Sequence, residues 1–174
     1  MWKTWANLLT ALRLVCVAPC AWAIVLGHLG PAAALFTIAV VSDYLDGPVA
    51  RRFDNDSPAG GLFDHATDAL FVAVNLSALA WIGLLDFWLP LLVVLAFTQY
   101  LFDSRALVGA SLRASILGKN NGIAYFVMIG IPVIRNALGW SWPPDSWIAA
   151  LGWILVITTL ASMTDRAVAL LKNR

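Results

Sequence analysis

The sequence predicts an all-α fold, an integral membrane bundle of six transmembrane helices. Apolar residues make up 61% of the 174 residues and charged residues only 12%, and the mean hydropathy is +0.81. These values lie outside the range of ordinary soluble domains. The apolar residues are also gathered into six runs, each near the length that crosses a bilayer as a helix. We therefore expect residues 1–174 to form one membrane domain.

The six runs follow one another with short breaks, which is typical of a helical bundle with short loops. The predicted spans are about 7–28, 31–52, 60–85, 87–108, 119–138 and 146–168. The breaks are rich in Gly, Pro, Asp and Ser, residues that favour turns. In order, they are Gly27 to Pro31, Asp54 to Gly61, Leu85 to Asp86, Gly109 to Gly118 and Gly139 to Asp145.

The Lys and Arg residues indicate an orientation for the bundle. With both termini in the cytoplasm, ten of the 11 cations fall on the cytoplasmic side and only Arg135 falls opposite. Such a bias is the positive-inside pattern of membrane proteins. We expect a bacterial inner-membrane protein with cytoplasmic termini and no nucleic-acid partner.

Four aspartates lie where the second and third predicted helices reach the cytoplasmic side. Asp43 and Asp46 are three residues apart and Asp64 and Asp68 are four apart, so each pair shares one face of its helix. Carboxylates inside a membrane protein are costly and usually functional. Two such faces brought together form a set of oxygen ligands suited to Mg²⁺ or Mn²⁺. The sequence therefore predicts a divalent metal site on these four residues.

The four aspartates belong to a longer pattern, D-x2-D-G-x2-A-R-x8-G-x3-D-x3-D, between residues 43 and 68. This pattern resembles the signature of the CDP-alcohol phosphatidyltransferase family, integral membrane enzymes of phospholipid synthesis. The resemblance implies a homodimer that transfers a phosphatidyl group from CDP-diacylglycerol to a small alcohol and releases CMP. It also implies two divalent ions, with Asp43 and Asp64 shared between them, Asp46 and Asp68 completing one each, and Asp68 acting as the general base.

Small and polar residues around the aspartates are expected to bind the CDP group. Large side chains at Gly47 or Ala50 would block a nucleotide, and a guanidinium such as that of Arg51 pairs well with a diphosphate. The opening N-x-x-T-x-x-R stretch, which ends at Arg13, resembles a segment that lines the family's nucleotide site. The predicted CDP-binding residues are Asn7, Thr10, Gly47, Ala50, Arg51, Ser57 and Gly60. Close helix packing and helix capping are the alternative explanations for the glycines and for Asn7 and Thr10.

Three cations near the cytoplasmic ends of the fourth and fifth predicted helices are candidate acceptor-binding residues: Arg105, Arg113 and Lys119. They suit a phosphorylated alcohol, with glycerol 3-phosphate as the default, although ordinary positive-inside charge is an equal explanation. Gly118-Lys119 resembles a pair in phosphatidylglycerophosphate synthases. The Asn120-Asn121 that follows departs from the Lys-Thr often seen there.

Two other functions stay open at this point. The segment Gly61 to His65 resembles the choline and ethanolamine phosphotransferases, which use CDP-choline or CDP-ethanolamine and a diacylglycerol acceptor. We expect His65 itself to be structural. A divalent-cation transporter would also keep acids in a helical bundle, but it has no need for the fixed offsets of Gly47, Arg51 and Gly60.

Overall fold

The computed structural model describes residues 5–52, 58–103 and 116–172, and within these ranges all regular structure is helical. Each predicted span overlaps one of the six helices found there, so the all-α prediction is confirmed. The helices are α1 (Trp5–Val25), α2 (Leu29–Arg52), α3 (Pro58–Trp81), α4 (Trp88–Asp103), α5 (Ile116–Ala137) and α6 (Asp145–Lys172).

Glycines end three of the helices. Gly27, Gly83 and Gly139 follow α1, α3 and α5 with φ of 72°, 80° and 68°, a backbone conformation that other residues adopt only with strain. In the first of these turns the amide of His28 donates to the carbonyl of Ala23 at 2.8 Å. The turns are short, so α1 packs on α2, α3 on α4 and α5 on α6.

Three of the described helices contain segments long and apolar enough to cross a membrane: Leu8–Val25 in α1, Ile116–Ala137 in α5 and Asp145–Ala169 in α6. Two more helices contain shorter apolar stretches, Leu29–Leu45 in α2 and Trp88–Phe102 in α4. Helix α3, which carries Asp64 and Asp68, contains no such stretch among its described residues.

An aromatic cluster joins α2, α3 and α5 at the centre of the molecule. Phe71 is fully buried, and its ring stacks on Phe126 with centroids 5.8 Å apart and lies 6.4 Å from Phe36. Phe36 lies against Gly130, where an added Cβ would meet its ring atoms at 2.9 Å. Because α2 runs past α5 at this close contact, the cluster positions Asp43, two turns after Phe36, against the bundle interior.

Candidate active site

Three carboxylates from two helices converge on one guanidinium. Nη2 of Arg13 lies 2.9 Å from Oδ1 of Asp43 on α2. Nη1 of the same residue lies 2.9 Å from Oδ1 of Asp64 on α3 and also contacts Oδ1 of Asp68. The side chain of Arg13 is 0% exposed, whereas the three carboxylates keep part of their surface open. The two helical faces predicted to meet do meet, at least through Asp43, Asp64 and Asp68.

Helix α1 supplies the polar groups that hold these carboxylates. Thr10 and Arg13 are three residues apart and share one face of an otherwise apolar helix. The Thr10 hydroxyl is buried and lies 3.4 Å from Oδ1 of Asp64, to which it donates. Thr10, predicted to bind CDP, therefore lies beside the carboxylates, in position to contact a ligand there.

A second group of side chains continues from the carboxylates toward α6. The His65 ring meets the Tyr100 ring edge-on with centroids 6.1 Å apart, and the Arg166 guanidinium lies 4.7 Å from the centre of the Tyr100 ring. The possible ligand atoms of Asp64, His65 and Asp68 all lie within 4.8 Å of one another. We expected His65 to be structural, but the structure places it among the groups that could hold a metal ion.

The carboxylates open into a cavity of about 1050 Å³ between α2, α3, α4, α5 and α6. Its wall is largely apolar, with Val72, Val93, Phe126 and Ile131 among the lining residues. Within the wall, the hydroxyls of Tyr125 and Thr159 are 2.6 Å apart and tie α5 to α6. The lining of α5 reaches from Gly118 to Arg135, a rise of about 26 Å along the helix axis. The cavity therefore follows most of the length of the bundle.

A different cluster lies where α5 ends and borders the same cavity. Arg135 is largely buried and donates to Oδ1 of Asp145 at 2.7 Å and to Oδ1 of Asn136 at 2.7 Å. It also donates to the carbonyl oxygen of Pro143 at 2.5 Å. Trp140 and Trp142 line the cavity beside it. This cluster fixes the turn between α5 and α6.

The remaining predicted site residues divide into three groups. Gly60 lies on α3 one turn before Asp64, and Lys119 lines the cavity on α5. For Asn7 on α1, and for Asp46, Gly47, Ala50 and Arg51 on α2, the structure describes the helical backbone only. Ser57, Arg105 and Arg113 lie outside the described residues.

Arg13 and Arg166 lie at the site although neither was among the predicted site residues. The sequence prediction counted Arg166 as a topology charge only, and Arg13 both as a topology charge and as the last residue of the N-x-x-T-x-x-R stretch. For Arg13 a signal was present, since a lone cation within an apolar helix needs a buried counter-charge. For Arg166 we find no such signal, because its position over Tyr100 depends on how α4 packs against α6.

Known proteins resemble this chain over most of its length. The sequence profile of the CDP-alcohol phosphatidyltransferase family matches residues 3–164. A cardiolipin synthase (CMP-forming) of Streptomyces coelicolor is 32% identical over 84% of this chain and 71% of its own length. A CDP-diacylglycerol–glycerol-3-phosphate 3-phosphatidyltransferase of Escherichia coli K12 is 28% identical over 76% of this chain and 74% of its own length. Cholinephosphotransferase 1 of Gallus gallus is 43% identical, but over 37% of this chain and 19% of its own length.

The profile match includes all eight positions of the aspartate pattern, and three of its four aspartates meet at Arg13 in the structure. Family membership also decides between an enzyme and a cation transporter, since the relatives are named for transferase and synthase reactions. The chain belongs to the CDP-alcohol phosphatidyltransferase family.

Proposed function

We propose that this enzyme transfers a phosphatidyl group from CDP-diacylglycerol to the hydroxyl of a glycerol-based alcohol and releases CMP. The observation that carries the proposal is the convergence of Asp43, Asp64 and Asp68 at one end of a largely apolar cavity. Carboxylates can hold the divalent ions that neutralise a diphosphate. An apolar wall suits a substrate with acyl chains.

The proposed setting is a bilayer crossed by all six helices, as one domain, with both termini and the carboxylates on the cytoplasmic side of a bacterial inner membrane. Support comes from the three long apolar helices, and from large apolar side chains that remain exposed on α1 and α6, such as Val15, Trp22 and Ile157. In water such exposed surface is costly, whereas lipid accepts it. The expected homodimer belongs to this proposal as well.

The donor set fits a divalent metal ion. Three carboxylates from two helices already share one cation, and hard oxygen donors of this kind are preferred by Mg²⁺ and Mn²⁺. We place the ligands on Asp43, Asp46, Asp64 and Asp68, enough for two ions with substrate oxygens. When bound, such ions neutralise the diphosphate and polarise the phosphorus under attack.

The protein groups would then act as follows. Thr10, Gly60 and the helix-2 residues Gly47, Ala50 and Arg51 bind the CDP group, together with Asn7 and Ser57. Asp68 accepts the proton of the acceptor hydroxyl, whose oxygen forms a bond to the β-phosphorus. The bond from that phosphorus to the bridging oxygen breaks, and the bridging oxygen leaves with CMP.

The acceptor has two candidates that share a glycerol phosphate group. Glycerol 3-phosphate is the default from the sequence and is named in the Escherichia coli relative. Phosphatidylglycerol is favoured by the apolar cavity, since cardiolipin carries two phosphatidyl groups on one glycerol and a relative is named for its synthesis. Lys119 and Arg166 line that cavity and supply positive charge for the acceptor phosphate, with Arg105 and Arg113 as further candidates.

Detergent-purified protein incubated with CDP-diacylglycerol, Mg²⁺ and either acceptor tests the proposal. We expect CMP and a new phospholipid with one acceptor, and loss of both in EDTA and in Asp43→Asn. Asp86→Asn is the matched control, because Asp86 accepts from the Trp88 amide at 3.0 Å at the start of α4 and Asn also caps helices. Turnover with CDP-choline and diacylglycerol instead would contradict the proposal and favour the aminoalcohol branch.

A further inference from the structure

Arg13 uses the same carboxylate oxygens that a divalent ion would use. Its Nη1 and Nη2 atoms contact Oδ1 of Asp43, Asp64 and Asp68, all three carboxylates described at the site. The guanidinium therefore bridges α2 and α3 as a metal ion would, but with a single positive charge and N–H donors.

The charges at this point are unbalanced. Three carboxylates surround one guanidinium that has 0% exposure, so that these four groups carry an excess of two negative charges when every carboxylate is ionised. A divalent ion bound by the same carboxylates would lie within a few ångströms of the guanidinium. Two cations that close repel strongly in a partly buried site, because little water screens them.

We propose that Arg13 is an internal cation that competes with the divalent metal for Asp43, Asp64 and Asp68, and so sets the metal affinity of the site. This inference rests on the metal site of the proposed function and adds its regulation. The long arginine side chain allows the guanidinium to withdraw from one or more carboxylates while its stem stays packed in α1.

Competition has a reciprocal consequence. If metal weakens the contacts of Arg13, then Arg13 weakens metal binding by the same factor. Without Arg13 the three carboxylates would face one another without the guanidinium that now lies between them. Loss of Arg13 should therefore tighten metal binding and at the same time destabilise the metal-free protein.

Arg13→Met tests this directly, because Met keeps an apolar stem without charge. Mn²⁺ binding to full-length protein in detergent is followed by the electron paramagnetic resonance signal of free Mn²⁺. We expect the Mn²⁺ affinity of Arg13→Met to rise about tenfold over wild type. We also expect the melting temperature in EDTA to fall by roughly 5–10 °C and to recover with saturating Mn²⁺.

Arg135→Met is the matched control, since Arg135 is also buried and also contacts a carboxylate, that of Asp145. It should lower the melting temperature equally with and without Mn²⁺ and leave the Mn²⁺ affinity unchanged. Arg13→Lys is the second variant if Arg13→Met does not fold in EDTA. A single ammonium cannot span three carboxylates as the guanidinium does, so its Mn²⁺ affinity should lie between those of wild type and Arg13→Met.

The outcomes separate the two proposals. Mn²⁺ bound by Arg13→Met and Arg13→Lys no more tightly than by wild type would overturn the role of Arg13 and leave the metal site intact. If neither wild type nor any Arg13 variant binds Mn²⁺, the proposed metal site is wrong. That result would contradict both the metal-dependent transfer reaction and the competition by Arg13.

Discussion

Two arginines are buried close to the cavity, and their partners differ. Arg135 lines the cavity itself, whereas Arg13 lies behind three carboxylates that line it. Arg13 contacts three carboxylates, from Asp43, Asp64 and Asp68. Arg135 contacts one carboxylate, a backbone carbonyl and a side-chain amide. The first cluster carries excess negative charge, whereas the second is neutral. A neutral, saturated cluster stabilises a turn, and an excess of partly buried negative charge indicates a place where further cations bind.

The largest expected effect is on catalysis, and it separates the two clusters. Asp68→Asn keeps the side-chain volume but removes the proposed base and a metal ligand, so CMP release should fall about a hundredfold or more. Asp145→Asn, which changes the partner of Arg135, should retain most of the activity. Equal losses of CMP release in the two variants would contradict the assignment of one cluster to the reaction and the other to structure.

The next effect concerns stability at the second cluster. Arg135→Met leaves the carbonyl of Pro143 without its donor and releases Asp145, whose side chain is 70% exposed and regains water. We expect a loss of about 1–2 kcal/mol in the free energy of unfolding. The loss, measured by reversible denaturation in detergent, should not depend on Mg²⁺. A loss that Mg²⁺ reverses would show that the two clusters are coupled.

A substitution in the packing between the two clusters should lower the free energy of unfolding by about as much as Arg135→Met, or less. In Gly130→Ala the new Cβ would meet two ring atoms of Phe36 at 2.9 Å, so the packed Phe36 ring, or α2 and α5 themselves, must move. We expect a loss of about 1–3 kcal/mol and reduced activity, because α2 carries Asp43. Gly122→Ala on the same helix has open space around its new Cβ. It should lower neither the free energy of unfolding nor the activity. Thermal unfolding and CMP release, measured on both variants, check this prediction.

The smallest effect is expected in the cavity wall. Tyr125→Phe removes the hydroxyl that lies 2.6 Å from the Thr159 hydroxyl. Thr159 keeps its bond to the carbonyl of Leu155 at 2.6 Å, so the cost should be about 0.5–1.5 kcal/mol. Activity with a small acceptor should persist. A loss of activity much greater than the loss of stability would place Tyr125 in contact with substrate.

The helices and the meeting of Asp43, Asp64 and Asp68 could be predicted from the sequence, for different reasons, whereas the roles of these residues stay predictions. The helices were visible because an apolar run of this length has few other structures available in a membrane. Asp43, Asp64 and Asp68 were visible because regular helical spacing puts functional side chains on shared faces. Both signals are local along the chain.

What the sequence did not predict depends on contacts between distant helices. The place of Arg13 follows from the way α1 docks onto α2 and α3, and that of Arg166 from the contact of α6 with Tyr100 on α4. The cavity likewise depends on which faces of five helices turn inward. Nothing in the spacing around Arg166 specifies such packing, since its charge also satisfied the orientation rule.

The burial of Arg13 also has a consequence for how the protein is made. Its partners on α3 come 51 and 55 residues later in the chain. If α1 enters the bilayer as it is synthesised, its guanidinium arrives before these counter-charges, and a cation within an apolar span is costly to insert without a partner. We therefore expect α1 to become stable in the bilayer only when α3 packs against it, and the same step brings Asp43, Asp64 and Asp68 together.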